Sequence, residues 1–590
     1  MRDVIVIGAG GGGPVVAKEL AARGLDVLVI EAGPRNASPP EEWAHLENNA
    51  NNPVSGYFRF GPADRSKPAW LRETPQNSFI WQVSGVGGTT LHYYGNCPRA
   101  VPGVFLGYNG RDKNAYDRAH EFPFSYRTLI PYYEWVEATL PVQTAAMGHK
   151  ERAWLRGAEK MGLPFQRSKD TSRAGYRPQE NAILQPGGTA GRTDDPAKMR
   201  HPHAKGCTYC GFCFQGCFEP RGAPRNLAAK RSTDNSYVPM ALTADAWHRG
   251  GKRATLVTDA FVTKIDSADE GGTTVAKGVT WRDNATGDQH SEVAKVVVLA
   301  AGCTESPRLW LNSSLPNPND WVGRGYTDHH FDWMIGQMPY YTGSSRGPGS
   351  SARVDVPGHG GLENVGLPPA IQAFSATFSD AGMAGYYDNG VDVGLAGADA
   401  LGRRVGNDLR DLLSHGIDRL LNVLVITDDD VEAQNRVTLS STIPPDANGP
   451  APKVEFHQRA RSPRTRANRE HMAGMAAQLL RAAGAEKVYR IGWPPLILHV
   501  QSTMRMGTDT ADSVLDASAE ARFVKRLFVA DNSALANCLG GPNPTLTTQA
   551  LATRTAEQIF KRYFGGDPWV RTESPVVSTD RRVTRALAGV

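Results

Sequence analysis

Short apolar runs, bounded by glycines or polar residues, recur along the chain. The first run, residues 4–7, is continuous and ends at a glycine, which is typical of a buried parallel strand. The segment from about residue 14 to residue 23 predicts a helix, and residues 27–30 predict a second strand. The chain therefore opens with a strand–helix–strand unit.

The turn between the first strand and the helix is rich in glycine. Gly8 permits a tight turn, Gly10 lets the backbone approach a pyrophosphate, and Gly13 lets the helix pack closely on the strand. The first amides of the helix face the phosphates, because they have no intrahelical partner. Glu31 ends the second strand, where a carboxylate accepts hydrogen bonds from ribose hydroxyls. The unit predicts a dinucleotide site, and this pattern is shared by FAD and NAD.

Patterns further along the chain predict other elements. Two segments, 435–439 and 453–457, predict strands of an antiparallel sheet. A stretch rich in glycine, serine and proline at 341–361 predicts a mobile loop, and residues 566–590 predict a loosely packed tail. Pro544 predicts the start of a helix, because proline suits the first helical turn.

Length and composition indicate a folded protein of more than one domain. The chain has 590 residues, of which 40% are hydrophobic and 21% charged, and its net charge is +5. No lysine- or arginine-rich run stands out, which argues against a nucleic acid partner, and no apolar run approaches the ~20 residues of a membrane helix. The first strand begins at once, so we expect no signal peptide and a cytoplasmic protein, unless a partner subunit carries an export signal. Composition does not indicate an oligomeric state.

A second glycine-rich loop distinguishes between the two dinucleotides. NAD enzymes have no need of such a loop, whereas a flavin does, because its pyrophosphate and isoalloxazine are held along an extended path. The loop at 85–96 therefore favours FAD. Its candidate cofactor-binding residues are Gly87, Gly88, Thr89, His92, Gly95 and Asn96.

With this loop, four further blocks resemble the glucose–methanol–choline (GMC) oxidoreductase family and follow in the family's order. They are residues 122–133, 296–309, 323–329 and 527–531. The pattern is nearest to the flavoprotein subunits of gluconate 2-dehydrogenase and FAD-glucose dehydrogenase and to pyranose oxidases. The resemblance covers nearly the whole chain.

The resemblance implies an α/β fold in which two domains interleave. A Rossmann-like FAD-binding domain would take residues 1–115, 205–325 and 490–565. An α+β substrate domain, built on an antiparallel sheet, would take residues 116–204 and 326–489. The remaining residues, 566–590, would form the C-terminal tail.

The resemblance also assigns residues at the reacting end of the cofactor. His499 matches the family's catalytic histidine by the Thr-Met-Arg-Met-Gly tail at 503–507, and Asn543 matches the second member of the catalytic pair. Histidine suits a general base because its unperturbed pKa is ~6.5. Asp531 would approach the ribityl chain, Val262 would line the FAD site, and the helix after Pro544 would point its N-terminus at the flavin.

His92 has two interpretations under this resemblance. In some family members the histidine at this spacing bonds covalently to the flavin, and in others it packs near the flavin without a bond. Both remain open from the sequence.

Four of the seven cysteines fall within eleven residues. Cys207, Cys210, Cys213 and Cys217 form a C-x2-C-x2-C-x3-C pattern. Thiolates at this spacing suit an iron–sulfur cluster. Metal-free thiols or disulfides and a structural zinc site are the alternatives.

The resemblance implies oxidation of an alcohol group of a sugar, aminosugar, glycoside or other polyol to a carbonyl. The flavin N5 would take the hydride, and oxygen, a quinone or a cytochrome subunit would accept the electrons. Two alternatives stay open from the sequence. One is a lyase of the same fold that binds FAD without redox chemistry, and the other is the flavoprotein subunit of an electron-transferring dehydrogenase complex.

Overall fold

Two seven-stranded sheets organise the chain. The structure is a computed structural model, and it describes residues 1–35, 72–73, 79–80, 82–169, 171–185, 206–214, 217, 227–367, 369, 372–373, 394–402, 404–457, 461–491 and 496–586. Its strands are β1 (Arg2–Ile7), β2 (Val27–Ile30), β3 (Phe79–Ile80), β4 (Gln143–Thr144), β5 (Gly175–Pro178), β6 (Glu180–Asn181), β7 (Thr255–Val257), β8 (Ala260–Asp269), β9 (Thr274–Asp283), β10 (Gln289–Leu299), β11 (Asp332–Gln337), β12 (Ala352–Val356), β13 (Gly360–Val365), β14 (Ala400–Leu401), β15 (Leu420–Thr427), β16 (Arg436–Leu439), β17 (Pro452–Glu455), β18 (Lys487–Arg490), β19 (Leu496–Ile497) and β20 (Leu527–Val529). Its helices are α1 (Gly13–Ala22), α2 (Tyr126–Thr139), α3 (His149–Lys160), α4 (Tyr237–Leu242), α5 (Ala244–Trp247), α6 (Gly302–Asn312), α7 (Gly406–Asp411), α8 (Pro463–Ala483), α9 (Thr545–Phe564) and α10 (Arg581–Ala586).

The first sheet has a parallel part and an antiparallel part. Strands β7, β2, β1, β10 and β20 are parallel neighbours, and β10, β9 and β8 continue the sheet as antiparallel neighbours. Strand β10 serves both parts, because its first half pairs with β9 and its second half pairs with β1 and β20. Helix α1 packs between this sheet and helices α4 and α9. The apolar run of β1, residues 4–7, is buried because neighbouring strands flank it and α1 packs against the sheet.

The second sheet is antiparallel apart from one edge. Its order is β14, β18, β11, β15, β13, β12 and β5, and only the β14–β18 pair is parallel. The long helix α8 covers one face of this sheet with apolar residues that are not branched at Cβ, among them Met472, Ala476 and Leu480. The two sheets together confirm the α/β class predicted from the sequence.

The strands predicted at 435–439 and 453–457 form, but in a different sheet. They are β16 and β17, which pair only with each other among the described strands. Val437 and Val454 face each other and join a small apolar cluster with Cys303 and Tyr326. These strands therefore pack against helix α6 and do not extend the second sheet.

The stretch at 341–361 is not a simple loop. It contains strand β12 and the first residues of β13. The charged residues Arg353 and Asp355 of this stretch pair with each other in the interior, with Arg353 Nε donating to Asp355 Oδ1 at 2.8 Å. Pairing of the two charges thus allows a buried strand in a stretch whose composition predicts a loop.

The C-terminal segment is packed more closely than predicted. Trp569, Val570 and Val583 are buried, and the backbone amide of Ser578 donates to the carbonyl oxygen of Thr139 at 2.8 Å. Residues 587–590 lie outside the described residues. Within the described part of the chain, no helix is long and apolar enough to cross a membrane.

The division into two interleaved domains remains a proposal. In its favour, the strands of the first sheet all fall in 1–115, 205–325 and 490–565. Strands of the second sheet fall in 116–204 and 326–489, except for the last residue of β18.

Candidate active site

A cavity runs from the glycine turn after β1 to the C-terminal segment. Its wall contains residues of both glycine-rich loops, the start of α6, strand β8, one residue of β13 and the segment before α9. Ten of the lining residues belong to the predicted site outside the first turn: Glu31, Gly88, Thr89, His92, Asn96, Val262, His499, Asp531, Asn543 and Pro544. The structure therefore brings together residues that are up to about five hundred positions apart in the sequence.

Glu31 holds the nucleotide end of the cavity. Its Oε2 accepts a hydrogen bond from the amide of Ala9 at 2.7 Å, and its Oε1 accepts one from the amide of Gly33 at 2.9 Å. Burial raises the pKa of this carboxyl, and the backbone amides oppose that rise. Glu31 thus ties the first glycine turn to the end of β2 as well as lining the cavity.

Glycine at three positions allows backbones to touch. A Cβ on Gly13 would overlap the carbonyl oxygen of Gly8, and a Cβ on Gly12 would overlap the carbonyl oxygen of Ala530, just after β20. Gly88 has φ of +49°, and a Cβ there would lie 2.8 Å from the Cα of Gly10. The two glycine-rich loops therefore meet through backbone alone. Sequence reasoning selected Gly8, Gly10 and Gly13 and missed the tight position of Gly12.

The second loop is pinned to the first by backbone hydrogen bonds. The amide of Gly87 donates to the carbonyl oxygen of Ala9 at 2.8 Å, and a short 3-10 helix, Gly88–Leu91, follows. Thr89 is the exposed residue of that turn, on the cavity side. Gly95 accepts a hydrogen bond from the amide of Ala182 at 2.7 Å, which joins the end of the loop to β6.

Asp531 and Val262, which were predicted to contact FAD, line the cavity wall. The Oδ2 atom of Asp531 accepts from the amide of Gly302 at 2.9 Å and from the hydroxyl of Ser306 at 2.6 Å. Burial raises the pKa of Asp531. Asp531 therefore fixes the start of α6 to the end of β20.

His92 is a buried wall residue. Its Nδ1 lies 2.8 Å from the carbonyl oxygen of Phe214, and its ring meets the Phe214 ring edge-on at 6.3 Å. Because a carbonyl oxygen only accepts, Nδ1 carries the proton in this hydrogen bond.

His499 and Asn543 are neighbours in the cavity. The Nε2 of His499 and the Nδ2 of Asn543 are 3.5 Å apart. Strand β19 leads into His499, and the carboxylate of Asp328 accepts from the backbone amides of His499 at 2.8 Å and Leu498 at 3.1 Å. Asp328 thereby holds the backbone that carries the imidazole.

A second histidine fixes the tautomer of the first. The Nε2 of His329 lies 3.2 Å from the carbonyl oxygen of Cys538 and 3.3 Å from the side-chain amide of Gln501. Because the carbonyl oxygen only accepts, we assign the proton to Nε2, with the Gln501 amide presenting its oxygen to it, and Nδ1 of neutral His329 then accepts. The Nδ1 of His499 is 2.9 Å from Nδ1 of His329 and therefore donates to it. This chain leaves the Nε2 of His499 without a proton, on the side of Asn543.

Burial keeps both histidines neutral. It lowers the pKa of His329 to about 3, and burial together with the neighbouring His329 lowers the pKa of His499 well below its ordinary value. An unprotonated Nε2 in a buried cavity can accept a proton from a bound hydroxyl. Asp328 and His329 lay inside a block that the sequence reasoning quoted, but no chemistry was assigned to them.

Helix α9 begins next to this pair. Pro544 caps it, and Asn543 immediately precedes the cap. Pro544, Thr545 and Thr548 line the cavity, so the N-terminal end of a twenty-residue helix opens towards it. The partial positive charge of that end stabilises negative charge nearby.

The residues present fit FAD. The glycines of the two loops present only backbone to the cavity. Glu31 lies at one end of the cavity, and the N-terminus of α9 and His499 lie at the other end. Such a set matches an extended dinucleotide whose reactive ring lies beside an acid–base pair.

The four cysteines do not fit a metal cluster. Among the described residues, which include all four, no group of three or more histidine, cysteine or acidic side chains is placed to hold a metal ion. Cys207, Cys213 and Cys217 are buried in an apolar cluster with Ile183 and Ala229. Burial raises the pKa of Cys207 and Cys213, which favours thiols over the thiolates that metals bind. The iron–sulfur cluster that the spacing predicts is therefore not supported.

Comparison with known families identifies the fold and the cofactor. The GMC oxidoreductase family matches in an N-terminal part at residues 172–331 and a C-terminal part at residues 431–552, and an FAD binding domain matches residues 3–43. The chain belongs to the GMC oxidoreductases. It is an FAD-dependent oxidoreductase that acts on the CH–OH group of an alcohol.

Several characterised GMC proteins resemble the chain over almost its full length. The 2-methyl-1,2-propanediol dehydrogenase of Mycolicibacterium austroafricanum is 26% identical, over 95% of this chain and 95% of its own. The 6'''-hydroxyparomomycin C oxidase of Streptomyces lividus is 28% identical, over 94% and 91%. The fructose dehydrogenase large subunit of Gluconobacter japonicus is 25% identical, over 95% and 97%.

Solved structures agree on the fold. The pyridoxine 4-oxidase of Mesorbium loti superposes with a TM-score of 0.57 at 15% identity, over 96% of this chain and all of its own. A formate oxidase of Aspergillus oryzae gives a TM-score of 0.59 at 13% identity, over 96% and 99%. At these identities the likeness is one of GMC architecture.

Proposed function

We propose that the chain oxidises an alcohol group of a sugar, aminosugar, glycoside or other polyol to a carbonyl, with His499 as general base and Asn543 as the residue that orients the reacting oxygen. The observation that carries this proposal is the pairing of an unprotonated His499 Nε2 with the Asn543 amide at 3.5 Å, in a cavity continuous with the FAD loops. The substrate class follows the names of relatives that act on a diol, an aminoglycoside and fructose.

The two side chains divide the work on the hydroxyl group. His499 Nε2 accepts the hydroxyl proton, and Asn543 Nδ2 donates a hydrogen bond to the same oxygen as its negative charge develops. His329 holds the imidazole so that Nε2 faces the oxygen. Asn543 is buried and His499 is half-buried in the cavity wall, so a bound alcohol would displace the water next to them.

FAD, when bound, accepts the hydride from the carbinol carbon. The glycine loops and Glu31 would hold its adenosine diphosphate part, and Asp531, Val262 and the N-terminus of α9 would surround the rest.

We propose that His92 packs against FAD without a covalent bond. Its ring is fixed edge-on to Phe214 and its Nδ1 donates to the Phe214 carbonyl, so a bond to the flavin could form only through Nε2. Precipitating the purified protein with acid should release yellow FAD into the supernatant. Flavin that stays in the pellet of the parent and leaves it in a His92→Ala variant would show a bond through His92.

A substrate screen tests the proposed function. Fructose, 2-methyl-1,2-propanediol and paromamine, together with glucose and simple monohydric alcohols, are mixed with the enzyme without oxygen. A substrate should bleach the flavin band at about 450 nm. Reoxidation with oxygen, a quinone and a cytochrome then identifies the acceptor. Product formed from an alcohol with the band unchanged would favour the non-redox lyase, and no bleaching by any polyol would contradict the substrate class.

The lowered pKa of His499 has a consequence for the pH profile. Only neutral His499 accepts a proton, and its pKa in the folded protein lies below the ordinary ~6.5. The rate of flavin reduction should therefore stay level as pH falls from 8 through about 6.5, and it should decline only at lower pH. Stopped-flow reduction by the best alcohol of the screen measures this. An acid limb centred at or above about pH 6.5 would contradict the buried, neutral imidazole.

A further inference from the structure

A buried glutamate connects two amides of the cavity wall. The Oε2 atom of Glu363, on β13, accepts a hydrogen bond from Nδ2 of Asn96 at 2.9 Å and lies 3.5 Å from Nδ2 of Asn543. Glu363 lines the cavity, and only 1% of it is exposed. Sequence reasoning did not select this residue, because it follows a stretch that reads as a loop.

The other carboxylate oxygen is anchored away from the cavity. Oε1 of Glu363 accepts from Nη1 of Arg353 at 3.2 Å, and Arg353 also donates to Asp355 and Gln179. Strands β12 and β13 place Arg353 and Glu363 directly opposite each other. The carboxylate is therefore held from behind by a fixed cation.

A carboxylate accepts hydrogen bonds and donates none. Each amide must then turn its N–H group towards Glu363 and its carbonyl oxygen away. Among the described residues, the Oδ1 atoms of Asn96 and Asn543 have no hydrogen-bond partner. The Asn96 amide points its N–H group at Glu363. For Asn543, Glu363 Oε2 and the unprotonated Nε2 of His499 both require an N–H, so Glu363 sets the orientation of this amide together with His499.

The orientation matters at Asn543. Its Nδ2 lies 3.5 Å from Glu363 Oε2 and 3.5 Å from His499 Nε2. One N–H of Asn543 is thus directed at the Glu363 carboxylate. The second is directed at His499 Nε2, and a substrate hydroxyl next to this pair would contact both side chains. A reversed amide would put a carbonyl oxygen there, which cannot stabilise a developing alkoxide.

We propose that Glu363 is a positioning residue that, held by Arg353, fixes the Asn543 amide with an N–H towards the reacting oxygen. This inference rests on the proposed function of His499 and Asn543 and deepens it. Glu363 acts through Asn543 and, in this arrangement, does not bind substrate itself, since both of its oxygens already accept hydrogen bonds from the protein.

The variant Glu363→Gln keeps the shape and adds a donor. If its oxygen stays on Arg353, its NH2 meets the N–H groups of the two asparagines, and the Asn543 orientation is lost. The reverse rotamer would keep an acceptor at the asparagines, but it is disfavoured because it places the NH2 group against the Arg353 guanidinium. We expect kcat to fall about tenfold with a smaller change in KM, while the acid limb of the pH profile stays in place because His499 is intact.

A double-mutant cycle isolates the effect. In an Asn543→Ala background there is no amide left to orient, so Glu363→Gln should change kcat less than about twofold. Additive losses would overturn the proposal and assign Glu363 a separate role, such as contact with a substrate amine or hydroxyl. That role would appear as a KM effect that depends on the substituents of the alcohol.

Two further variants separate contact from charge. Glu363→Asp keeps the charge beside Arg353 but withdraws the carboxylate by one methylene, and it should lose activity as Glu363→Gln does. Asp355→Asn also removes one negative charge beside Arg353, but it leaves the contacts of the Asn96 and Asn543 amides unchanged. Its kcat should stay within about twofold of the parent. Equal losses in Asp355→Asn and Glu363→Gln would overturn the proposal, as would full activity in Glu363→Asp.

Two readouts do not depend on turnover. FAD content and reduction by dithionite should be the same in all these proteins. The His499→Ala variant distinguishes a failure of the proposed function from a failure of the proposed role of Glu363. If His499→Ala reacts normally, the proposed function fails. If His499→Ala is inactive and the cycle is additive, only the role of Glu363 fails.

Discussion

Replacement of His499 by alanine should slow the reduction of bound FAD by an alcohol at least about 100-fold. The variant loses the atom that accepts the hydroxyl proton. The unprotonated nitrogen of His329, Nδ1, faces His499 from behind, and His329 is not among the described residues that line the cavity. Asn543 cannot replace the base, because an amide nitrogen has no free electron pair to give. Anaerobic stopped-flow absorbance gives the rate directly.

The loss must be separated from damage to the fold. The backbone of His499 is held by Asp328, so the alanine variant should keep its FAD and its dithionite reduction. His330→Ala is a matched control, because it removes another buried, neutral histidine that does not belong to the cavity lining. It should reduce FAD within about threefold of the parent rate, a factor that is small beside the effect of the base. A His499→Ala variant as fast as this control would remove His499 from the mechanism.

Gly12→Ala should abolish FAD binding and destabilise the protein by about 3 kcal/mol or more. The added methyl group would overlap the carbonyl oxygen of Ala530, and neither partner can yield, since both belong to the backbone. Relief requires α1 to move away from the end of β20, which would carry the phosphate-facing amides with it. A loss of this size is a large fraction of the ~5–15 kcal/mol that stabilises a typical domain.

Gly11→Ala provides the comparison for this substitution. It makes the same change at the neighbouring position of the same turn, where the new Cβ would lie 3.6 Å from Cγ2 of Thr90, an ordinary contact. Its melting temperature should stay close to that of the parent. The measurements are thermal unfolding and the ratio of absorbance at about 450 nm to that at 280 nm. Equal stability of the two variants would show that α1 and β20 do not meet as tightly as described.

The regular start of the chain could be predicted from local pattern alone. The apolar run of β1, the glycines and Glu31 each follow from the chemistry of a βαβ turn, and the structure places β2 at the predicted residues. His499 and Asn543 were reachable only through a family resemblance, because a histidine after an apolar run has no local mark of catalysis.

The remaining parts of the site depend on pairings over long sequence distances. His329 and His499 are 170 residues apart, and nothing in either neighbourhood indicates that their Nδ1 atoms meet. Glu363 was not selected because it follows a stretch whose glycine, serine and proline content predicted a loop, whereas Arg353 and Asp355 of that stretch neutralise each other inside a sheet. The cysteine spacing suggested a cluster, but burial among apolar side chains is a tertiary property that spacing does not encode.

The contact between Gly12 and Ala530 also concerns how the protein is made. The first strand finds its neighbour β10 only after almost three hundred residues have been synthesised, and β20 and α9 follow only after more than five hundred. Domains that depend on such distant segments fold slowly and late. Both segments must therefore be synthesised before the nucleotide turn is enclosed. Loading of FAD then follows the synthesis of these segments, and until that point the unpaired strands of the first sheet are open to aggregation.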